Sequence, residues 1–219
     1  MKLIKQAFIF FINIIYPQLC LLCGKLCKKH LCKQCKTRIC KDATFKIETI
    51  NCYFEKHIYI FKYEGEIRNL ILSYKFKDKS YLYKLFSEII LKNEKIFGIL
   101  EKYDIIIPVP IHKKRKKQRG YNQSELIAND LATNIKDLKC ENNILIKQKN
   151  TLPQSSLNKN QRKNNLKDAY KVINQEKIIN KKIILFDDIY TTGSTAKECS
   201  KILKASGAKE ILVLTISKT

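Results

Sequence analysis

The second half of the chain alternates between short apolar runs and segments with the character of helices. Residues 105–110, 183–186 and 211–216 are apolar runs of the length that buried strands have. Residues 125–138 and a segment that begins near Ala196 are predicted to be helices. Because strands that alternate with helices form parallel sheets, this pattern predicts a largely parallel sheet covered by helices.

The first half contains a smaller set of predicted elements. Residues 57–63 alternate between apolar and polar positions as a strand does, and residues 67–74 and 81–91 have helical spacing. The polar segment between these two helices, residues 75–80, has two interpretations. It is either a mobile flap that closes over a reacting ligand and excludes water, or a plain solvated turn.

The stretch from Gln6 to Gly24 carries no charge and is about long enough to cross a bilayer. Its apolar positions nevertheless keep the i, i+3, i+4 spacing of an amphipathic helix that packs on its own domain or on a partner. We therefore expect no transmembrane span. Docking of this helix on a membrane surface is the alternative.

The length and charge of the chain limit its classes of function. With 219 residues, it can form one α/β core of ordinary size and a small additional module. Its 43 Lys and Arg residues against 20 acidic residues give a formal charge of +23, which favours polyanions such as nucleic acid, nucleotides or anionic lipid. Abundant Ile and Asn and the absence of Trp also fit an AT-rich genome, in which lysines accumulate without a role in binding.

Six of the nine cysteines lie close together near the N-terminus. The odd number of cysteines and the lack of a cleavable signal-peptide pattern argue against a disulfide framework. Two C-x-x-C pairs separated by eight residues, Cys20 with Cys23 and Cys32 with Cys35, instead predict a closed tetrahedral Zn²⁺ site. A site with four thiolates leaves no position for water, so we expect it to be structural.

Other metal ligands and a redox role are the alternatives for this segment. Cys27, His30 and Cys40 are competing ligands, but none of them belongs to a C-x-x-C pair. A redox-active C-x-x-C pair would require a thioredoxin-like βαβ context, which is absent here.

Two carboxylates and a hydroxyl-rich loop follow the predicted strand at residues 183–186. Asp187 and Asp188 stand at its carboxyl end, the edge at which open α/β sheets bind ligands. The loop then opens a helix whose first backbone N–H groups suit a phosphate monoester. It consists of Thr191, Thr192, Gly193, Ser194 and Thr195. This arrangement suits a sugar phosphate, and it resembles the phosphoribosyl pyrophosphate (PRPP) signature of the type I phosphoribosyltransferases.

A basic run follows the predicted strand at residues 105–110. Six of the eight residues at 112–119 are cations: Lys113, Lys114, Arg115, Lys116, Lys117 and Arg119. Because this run and the hydroxyl-rich loop lie at the same sheet edge, the cations can hold the pyrophosphate of the ligand or the backbone of a polynucleotide. A solvated face is the alternative, although the Gly-Tyr-Asn-Gln sequence that closes the run favours the functional interpretation.

These motifs occur together in one known family, the ComF proteins of bacterial DNA uptake, and the chain resembles that family from Pro17 to its end. The shared landmarks are Pro17, the two C-x-x-C pairs, Pro108 to Pro110, Arg119 to Gln123, Thr151, Gln154, Leu157, Arg162, Asn165 and residues 187–195. Together they are far more specific than any one of them alone.

The resemblance implies a type I phosphoribosyltransferase-like α/β fold, with a mainly parallel sheet flanked by helices. We expect an N-terminal helix and zinc-ribbon module over residues 1–52 and the phosphoribosyltransferase-like domain over residues 53–219. Many relatives carry a second set of paired cysteines, whereas this chain has only the isolated Cys40 and Cys52, so we expect a single zinc ion. Lys149 stands where relatives often have Arg, which keeps the charge but loses bidentate phosphate recognition.

The resemblance also implies a function in natural transformation. We expect a cytoplasmic competence protein, or one bound at the inner face of the membrane, that binds PRPP with Mg²⁺ and single-stranded DNA. A helicase-type translocase and a membrane DNA channel are its expected partners. The protein is either a phosphoribosyltransferase or a non-catalytic nucleotide- or DNA-binding factor that retains only the PRPP-binding fold, and no catalytic residue follows from the sequence.

Overall fold

The computed structural model describes residues 18–27, 30–149, 151, 166 and 168–219. The predicted N-terminal helix and the landmarks Pro17, Gln154, Leu157, Arg162 and Asn165 lie outside the described residues. The chain forms two compact units, Met1–Asp42 and Ala43–Thr219. The division lies ten residues before the boundary that the sequence suggested, because the segment 46–49 pairs into the sheet of the larger unit.

The described part of the smaller unit is a tight turn followed by a helix. Leu19 and Leu26 form an antiparallel bridge across the turn. Helix α1 (Lys33–Lys41) begins after Cys32, whose Sγ accepts a hydrogen bond from the backbone N–H of Cys35. The helix buries Cys35 and Ile39, so a cysteine takes the place of an apolar core residue.

The larger unit is built on a six-stranded sheet. Its strands are β1 (Lys46–Thr49), β2 (Lys56–Lys62), β3 (Ile105–Pro108), β4 (Lys139–Cys140), β7 (Lys182–Tyr190) and β8 (Glu210–Lys218). They lie in the order β1-β2-β8-β7-β3-β4, and only β1 is antiparallel to its neighbour. A separate antiparallel pair consists of β5 (Leu145–Lys147) and β6 (Tyr170–Val172).

Eight helical segments accompany this sheet in the described part of the larger unit, six α-helices and two 3₁₀ turns. Seven of them are α2 (Gly65–Phe76), a 3₁₀ turn (Ser80–Leu82), α3 (Tyr83–Leu91), α4 (Glu94–Leu100), α5 (Lys113–Arg119), α6 (Gln123–Asn134) and α7 (Ser194–Ala205). A further 3₁₀ turn spans Gln175–Lys177.

The two central strands of the sheet, β8 and β7, consist mainly of buried apolar residues, as suits strands that are covered on both faces. On β7, Ile183, Ile184, Leu185 and Phe186 are all fully buried, which is typical of a parallel strand with both faces covered. On one side, α7 and the β5–β6 pair close a core that includes Leu203, Ile144 and Tyr170. The predicted α/β fold, a mainly parallel sheet flanked by helices, is therefore confirmed.

Within the described ranges, none of the helices combines the length and the apolar character that a membrane crossing requires.

Candidate functional site

The candidate ligand site lies at the carboxyl ends of β7 and β3. The predicted strand at residues 183–186 is too short, because β7 continues through both carboxylates to Tyr190. Pairing with β8 extends it, with Asp187 opposite Thr215 and Tyr190 opposite Lys218. The two carboxylates are therefore part of the sheet ladder, which fixes their backbone before any ligand arrives.

Asp187 and Asp188 interact directly through the backbone. The N–H of Asp188 donates to Oδ1 of Asp187 at 2.8 Å. Burial and the neighbouring carboxylate of Asp188 raise the pKa of Asp187, while the charges of Lys75 and Lys147 oppose this shift. Two adjacent acids in one buried place are costly to ionise together, so this pair needs cations around it.

Lys75 provides one of these cations. It lies in the last turn of α2, and its Nζ is 2.8 Å from Oδ1 of Asp188. The sequence suggested a flap or a turn over residues 75–80, yet Lys75 and Phe76 still belong to the helix. Helical periodicity alone gave no sign that the last turn of α2 reaches the carboxylates.

The hydroxyl-rich loop forms a tight bend between β7 and α7. Gly193 has φ +72°, and the first helical hydrogen bond runs from the N–H of Lys197 to its carbonyl at 2.8 Å. The hydroxyls of Thr192 and Ser194 are 2.8 Å apart. Gly193 is the N-cap residue of α7 and makes no side-chain hydrogen bond to its first turn. The start of α7 suits an anion, because N–H groups in the first turn have no acceptor within the helix and the helix dipole favours negative charge there.

The basic run folds as a helix, α5, rather than as an extended segment. His112 caps it, with Nδ1 accepting from the N–H of Lys114 at 3.3 Å. The helix divides the six cations into two groups, because residues four apart share one face. Arg115 and Arg119 are partly buried, whereas the four lysines are exposed: Lys113, Lys114, Lys116 and Lys117.

The segment after α5 holds Arg119 beside the site. Gly120 ends the helix with φ 82°, and the side chain of Asn122 caps α6 by accepting from the N–H of Ser124. Arg119 donates to Oε1 of Gln123 at 2.5 Å, and its guanidinium lies 5.1 Å from the ring centroid of Phe76. Residues 119–123 are one of the family landmarks in the sequence. In the structure they form the junction between α5 and α6.

The charge of Arg119 is linked to the carboxylates. Burial lowers the pKa of Arg119, and the negative charge of Asp188 opposes that shift. A guanidinium retains its proton under all ordinary conditions, so Arg119 brings a permanent cation to the edge of the site.

A third cation, Lys147, was not among the residues that the sequence singled out. It ends β5, and its Nζ lies 5.2 Å from the ring centroid of Tyr170. Burial and the nearby charge of Arg115 lower the pKa of Lys147, while Asp187 opposes the shift. Arg115 also donates to the carbonyl of Thr151 at 3.4 Å. Lys147 directly follows residues 144–146, whose apolar character suggests a short strand, and nothing else in the sequence marks it.

The four cysteines of the C-x-x-C pairs lie together in the smaller unit. Their sulfur atoms all lie within 4.8 Å of one another, and the Sγ atoms of Cys23 and Cys32 are 3.7 Å apart. Sulfurs bound to one tetrahedral Zn²⁺ at about 2.3 Å would be about 3.8 Å apart. The cluster found among the described residues consists of Cys20, Cys23, Cys32 and Cys35, so it can hold a metal ion.

Local backbone geometry prepares this cluster. Gly24 has φ +69° and donates to the carbonyl of Cys20 at 2.9 Å, which closes the first turn. The N–H of Cys32 points at the sulfur of Cys20 at 3.4 Å. Burial opposes ionisation of Cys20, but backbone N–H groups of Cys32, Cys23 and Leu22 outweigh it and lower its pKa to about 6. A thiolate is the form that a metal ion binds.

No family model matches the chain, but comparison with curated proteins finds relatives named for competence and for DNA utilization. Competence protein F of Haemophilus influenzae is 30% identical over 169 residues, which are 75% of this chain and 73% of that protein. Competence protein ComFC of Streptococcus pneumoniae is 28% identical over 160 residues, or 73% of this chain and 67% of that protein. DNA utilization protein YhgH of Escherichia coli K12 is 30% identical over 118 residues, which are half of that protein.

Two solved structures were also matched in part. Glutamine PRPP amidotransferase from B. subtilis gives a TM-score of 0.35 at 19% identity, covering 54% of this chain and 24% of that one. PRPP synthetase from Mycobacterium smegmatis gives a TM-score of 0.33 at 16% identity, covering 61% of this chain and 33% of that one.

The parallel sheet and the loop that joins β7 to α7 define an α/β protein with two carboxylates and a hydroxyl-rich loop at the carboxyl edge of its sheet, and the smaller unit contains a cluster of four cysteines. Given its similarity to competence protein F over three quarters of its length, the chain belongs to the ComF family.

Proposed function

We propose that the larger unit binds PRPP together with Mg²⁺ at the carboxyl edge of its sheet. One observation carries this proposal: a single strand–loop–helix unit presents two adjacent carboxylates and an uncapped helix N-terminus to the same edge. Carboxylates accept hydrogen bonds from the ribose hydroxyls, and N–H groups at the start of α7 bind the 5′-phosphate.

The surrounding cations suit the pyrophosphate group of the same ligand. The charge of Asp188 acts on the pKa of Arg119, and the charge of Asp187 acts on that of Lys147, while Arg115 lies near enough to both cations to lower their pKa values. Such a group carries several negative charges, and guanidinium groups bind phosphate oxygens in pairs. Mg²⁺ prefers oxygen ligands from one or two carboxylates and from phosphates, so this donor set fits it, and the ion would neutralise pyrophosphate charge.

Transfer of the phosphoribosyl group is the reaction that this ligand would support. The alternative, binding without turnover, has one observation in its favour, because Asp188 is engaged in an ion pair with Lys75. A screen for pyrophosphate release from PRPP, with nucleobases and single-stranded DNA as acceptors, separates the two. Release in the presence of an acceptor supports catalysis, and binding without any release supports the alternative.

We further propose that the chain binds single-stranded DNA in natural transformation. The support is the family, whose members include proteins named for competence and for DNA utilization, and the row of exposed lysines on α5. Phosphate contacts by lysine give affinity with little dependence on sequence. The cytoplasmic location, the translocase and the membrane channel stay predictions.

For the smaller unit we propose one structural Zn²⁺. Four sulfur ligands with no carboxylate or water position are typical of closed zinc sites, which stabilise small modules that lack a large core. The mutual spacing of the four sulfurs supports this choice.

Calorimetric titration of the full chain with PRPP tests the central proposal. Binding that requires Mg²⁺ supports it. Equal heats for PRPP and for ribose 5-phosphate, both without Mg²⁺ dependence, would contradict the role of the pyrophosphate cations.

A further inference from the structure

A buried histidine contacts the tyrosine that precedes the hydroxyl-rich loop, and the site described above makes no use of it. His57 is on β2 and is fully buried. Its imidazole stacks on the ring of Tyr190, with centroids 4.0 Å apart and planes inclined by 26°. Because Tyr190 is the last residue of β7, this contact joins a strand two positions away in the sheet to the start of the loop.

Tyr190 in turn contacts the loop at Gly193. A Cβ atom placed on Gly193 would overlap the phenol of Tyr190. The phenol therefore occupies the space in which any other residue at position 193 would place its side chain. The loop folds onto this ring, and the position of the ring sets the position of Gly193 and of the first N–H groups of α7.

Hydrogen bonds on both sides fix the His57 ring. Nδ1 lies 3.4 Å from Oε2 of Glu48, and Nε2 lies 3.0 Å from Oγ1 of Thr215. Burial lowers the pKa of His57 to about 4, although Glu48 opposes the shift, so the ring is neutral at pH 7 and has one N–H. A carboxylate only accepts, so the proton belongs on Nδ1, and Nε2 accepts from Thr215.

Glu48 is itself held in place. The Nζ of Lys218 lies 2.5 and 2.7 Å from its two carboxylate oxygens. The same ammonium lies 5.9 Å from the ring centroid of Tyr190. The ring of His57 thus cannot rotate without breaking contacts to β1 and β8, and it provides a rigid support for Tyr190.

We propose that His57 is a positioning residue for the phosphate loop. It touches no ligand and acts through Tyr190, whose ring it holds against Gly193. The consequence for PRPP rests on the proposed function, whereas the effect on the loop does not. Stacking of the two rings is the decisive contact, and the hydrogen bonds to Glu48 and Thr215 keep the imidazole in register.

Two substitutions separate the effect of the stacked ring from the effect of its hydrogen bonds. His57→Phe keeps a ring for stacking and loses both hydrogen bonds, and His57→Gln keeps a polar side chain and loses the ring. We expect His57→Gln to bind PRPP about three- to tenfold more weakly than the unmodified chain, because the free energy of one aromatic contact corresponds to a change in affinity of about that size. We expect His57→Phe to bind within about twofold of it. Equal weakening in both variants would overturn the proposal.

A second measurement needs no PRPP. The chain has six glycines, so selective ¹⁵N-glycine labelling gives few amide signals, and loss of one signal in Gly193→Ala identifies Gly193. We expect the Gly193 signal to move in His57→Gln and to stay close to its place in His57→Phe, while the Gly98 signal stays fixed in both. Tyr190→Leu removes the other half of the stack and should move the Gly193 signal in the same way, which covers the case of a His57 variant that does not fold.

These outcomes test the positioning role of His57 separately from the proposed binding of PRPP. An unmoved Gly193 signal in folded His57→Gln or Tyr190→Leu overturns the positioning role, whatever the ligand. A moved signal in a chain that never binds PRPP supports the positioning role and contradicts the proposed function.

Discussion

The ammonium of Lys75 lies 2.8 Å from Oδ1 of Asp188, and both side chains are largely buried, with 18% and 12% of their surface exposed. This ion pair joins the end of α2 to the strand that carries the candidate ligand carboxylates. Since Asp187 and Asp188 are adjacent, Lys75 offsets part of the repulsion between them before any ligand binds.

Loss of this cation should destabilise the larger unit. We expect Lys75→Met to lower the free energy of unfolding by about 2 to 4 kcal/mol, because it leaves a carboxylate buried without its partner. Urea denaturation measures this change. Lys75→Arg should cost less, since the charge remains.

An exposed ion pair gives the matched control. Lys92 lies 2.8 Å from Glu88 on α3 and is 69% exposed. We expect Lys92→Met to change the free energy of unfolding by no more than about 0.5 kcal/mol. Similar losses in the Lys75 and Lys92 variants would show that the buried pair contributes nothing of its own.

Removal of one cysteine ligand should release the metal from the smaller unit. We expect the purified chain to contain one Zn²⁺, and Cys20→Ser to lose both the ion and the order of this module, because three thiolates leave an incomplete tetrahedron. Elemental analysis and protease digestion measure the two effects.

Cys40 provides the control for this prediction. It is exposed on α1 and is not part of the four-cysteine cluster. Cys40→Ser should therefore retain one Zn²⁺ per chain. Full zinc content in Cys20→Ser, or none in the unmodified protein, would contradict the four-cysteine site.

The exposed lysines of α5 should contribute to binding of single-stranded DNA. Lys116 is paired with Glu125 at 2.7 Å, so the test uses Lys113, Lys114 and Lys117. Each phosphate contact contributes about −0.7 to the slope of log K against log salt. Changing all three to Gln should flatten that slope by up to ~2 units, which fluorescence anisotropy over a salt series measures.

Three exposed lysines elsewhere control for net charge. Lys136, Lys201 and Lys209 are exposed and lie outside α5. Their change to Gln lowers the charge by the same amount and should leave the slope nearly unchanged. If both triple variants lose the same affinity for single-stranded DNA, binding depends on the net charge of the chain and the lysines of α5 make no specific contribution.

The sequence predicted the sheet well because its central strands are nearly uniform in character. The buried runs of β3, β7 and β8 and the helices α6 and α7 were all found, with ends that differ by a few residues. Short or mixed elements were missed: β1, α4, β4 and β6 do not repeat apolar positions for long enough to give a signal.

The candidate site was predicted in its contiguous part only. Asp187, Asp188 and the loop residues adjoin one another in the chain, so a motif reveals them. Lys75 and Lys147 reach the carboxylates from other elements, and only the packing of those elements brings them there. The basic run was seen as a single group because the sequence did not show that a helix turns its arginines inward and its lysines outward.

Asp187 links stability to function in a way that a single substitution can test. Burial and Asp188 raise its pKa to about 7, above the value of about 3.9 in an unfolded chain. The folded state therefore holds the proton more tightly, so the contribution of this group to stability is lost as pH rises from about 4 to 7. Asp187→Asn mimics the protonated acid, and we expect it to be more stable than the unmodified chain at pH 8 by at least ~1 kcal/mol.

This stability difference should shrink as the pH falls towards 4. His57, whose pKa is lowered, contributes with the opposite sign, because it loses stability as pH falls below about 6.5. Its contribution is the same in both proteins, so the difference between them isolates Asp187.

Calorimetry of Asp187→Asn with Mg²⁺ and PRPP shows whether this carboxylate contributes to ligand binding. If Asp187 accepts hydrogen bonds from the ribose, Asp187→Asn should bind PRPP more weakly by at least ~1.5 kcal/mol, or about tenfold, although it is the more stable protein. PRPP affinity equal to that of the unmodified chain, in a folded variant, would contradict the site at the end of β7.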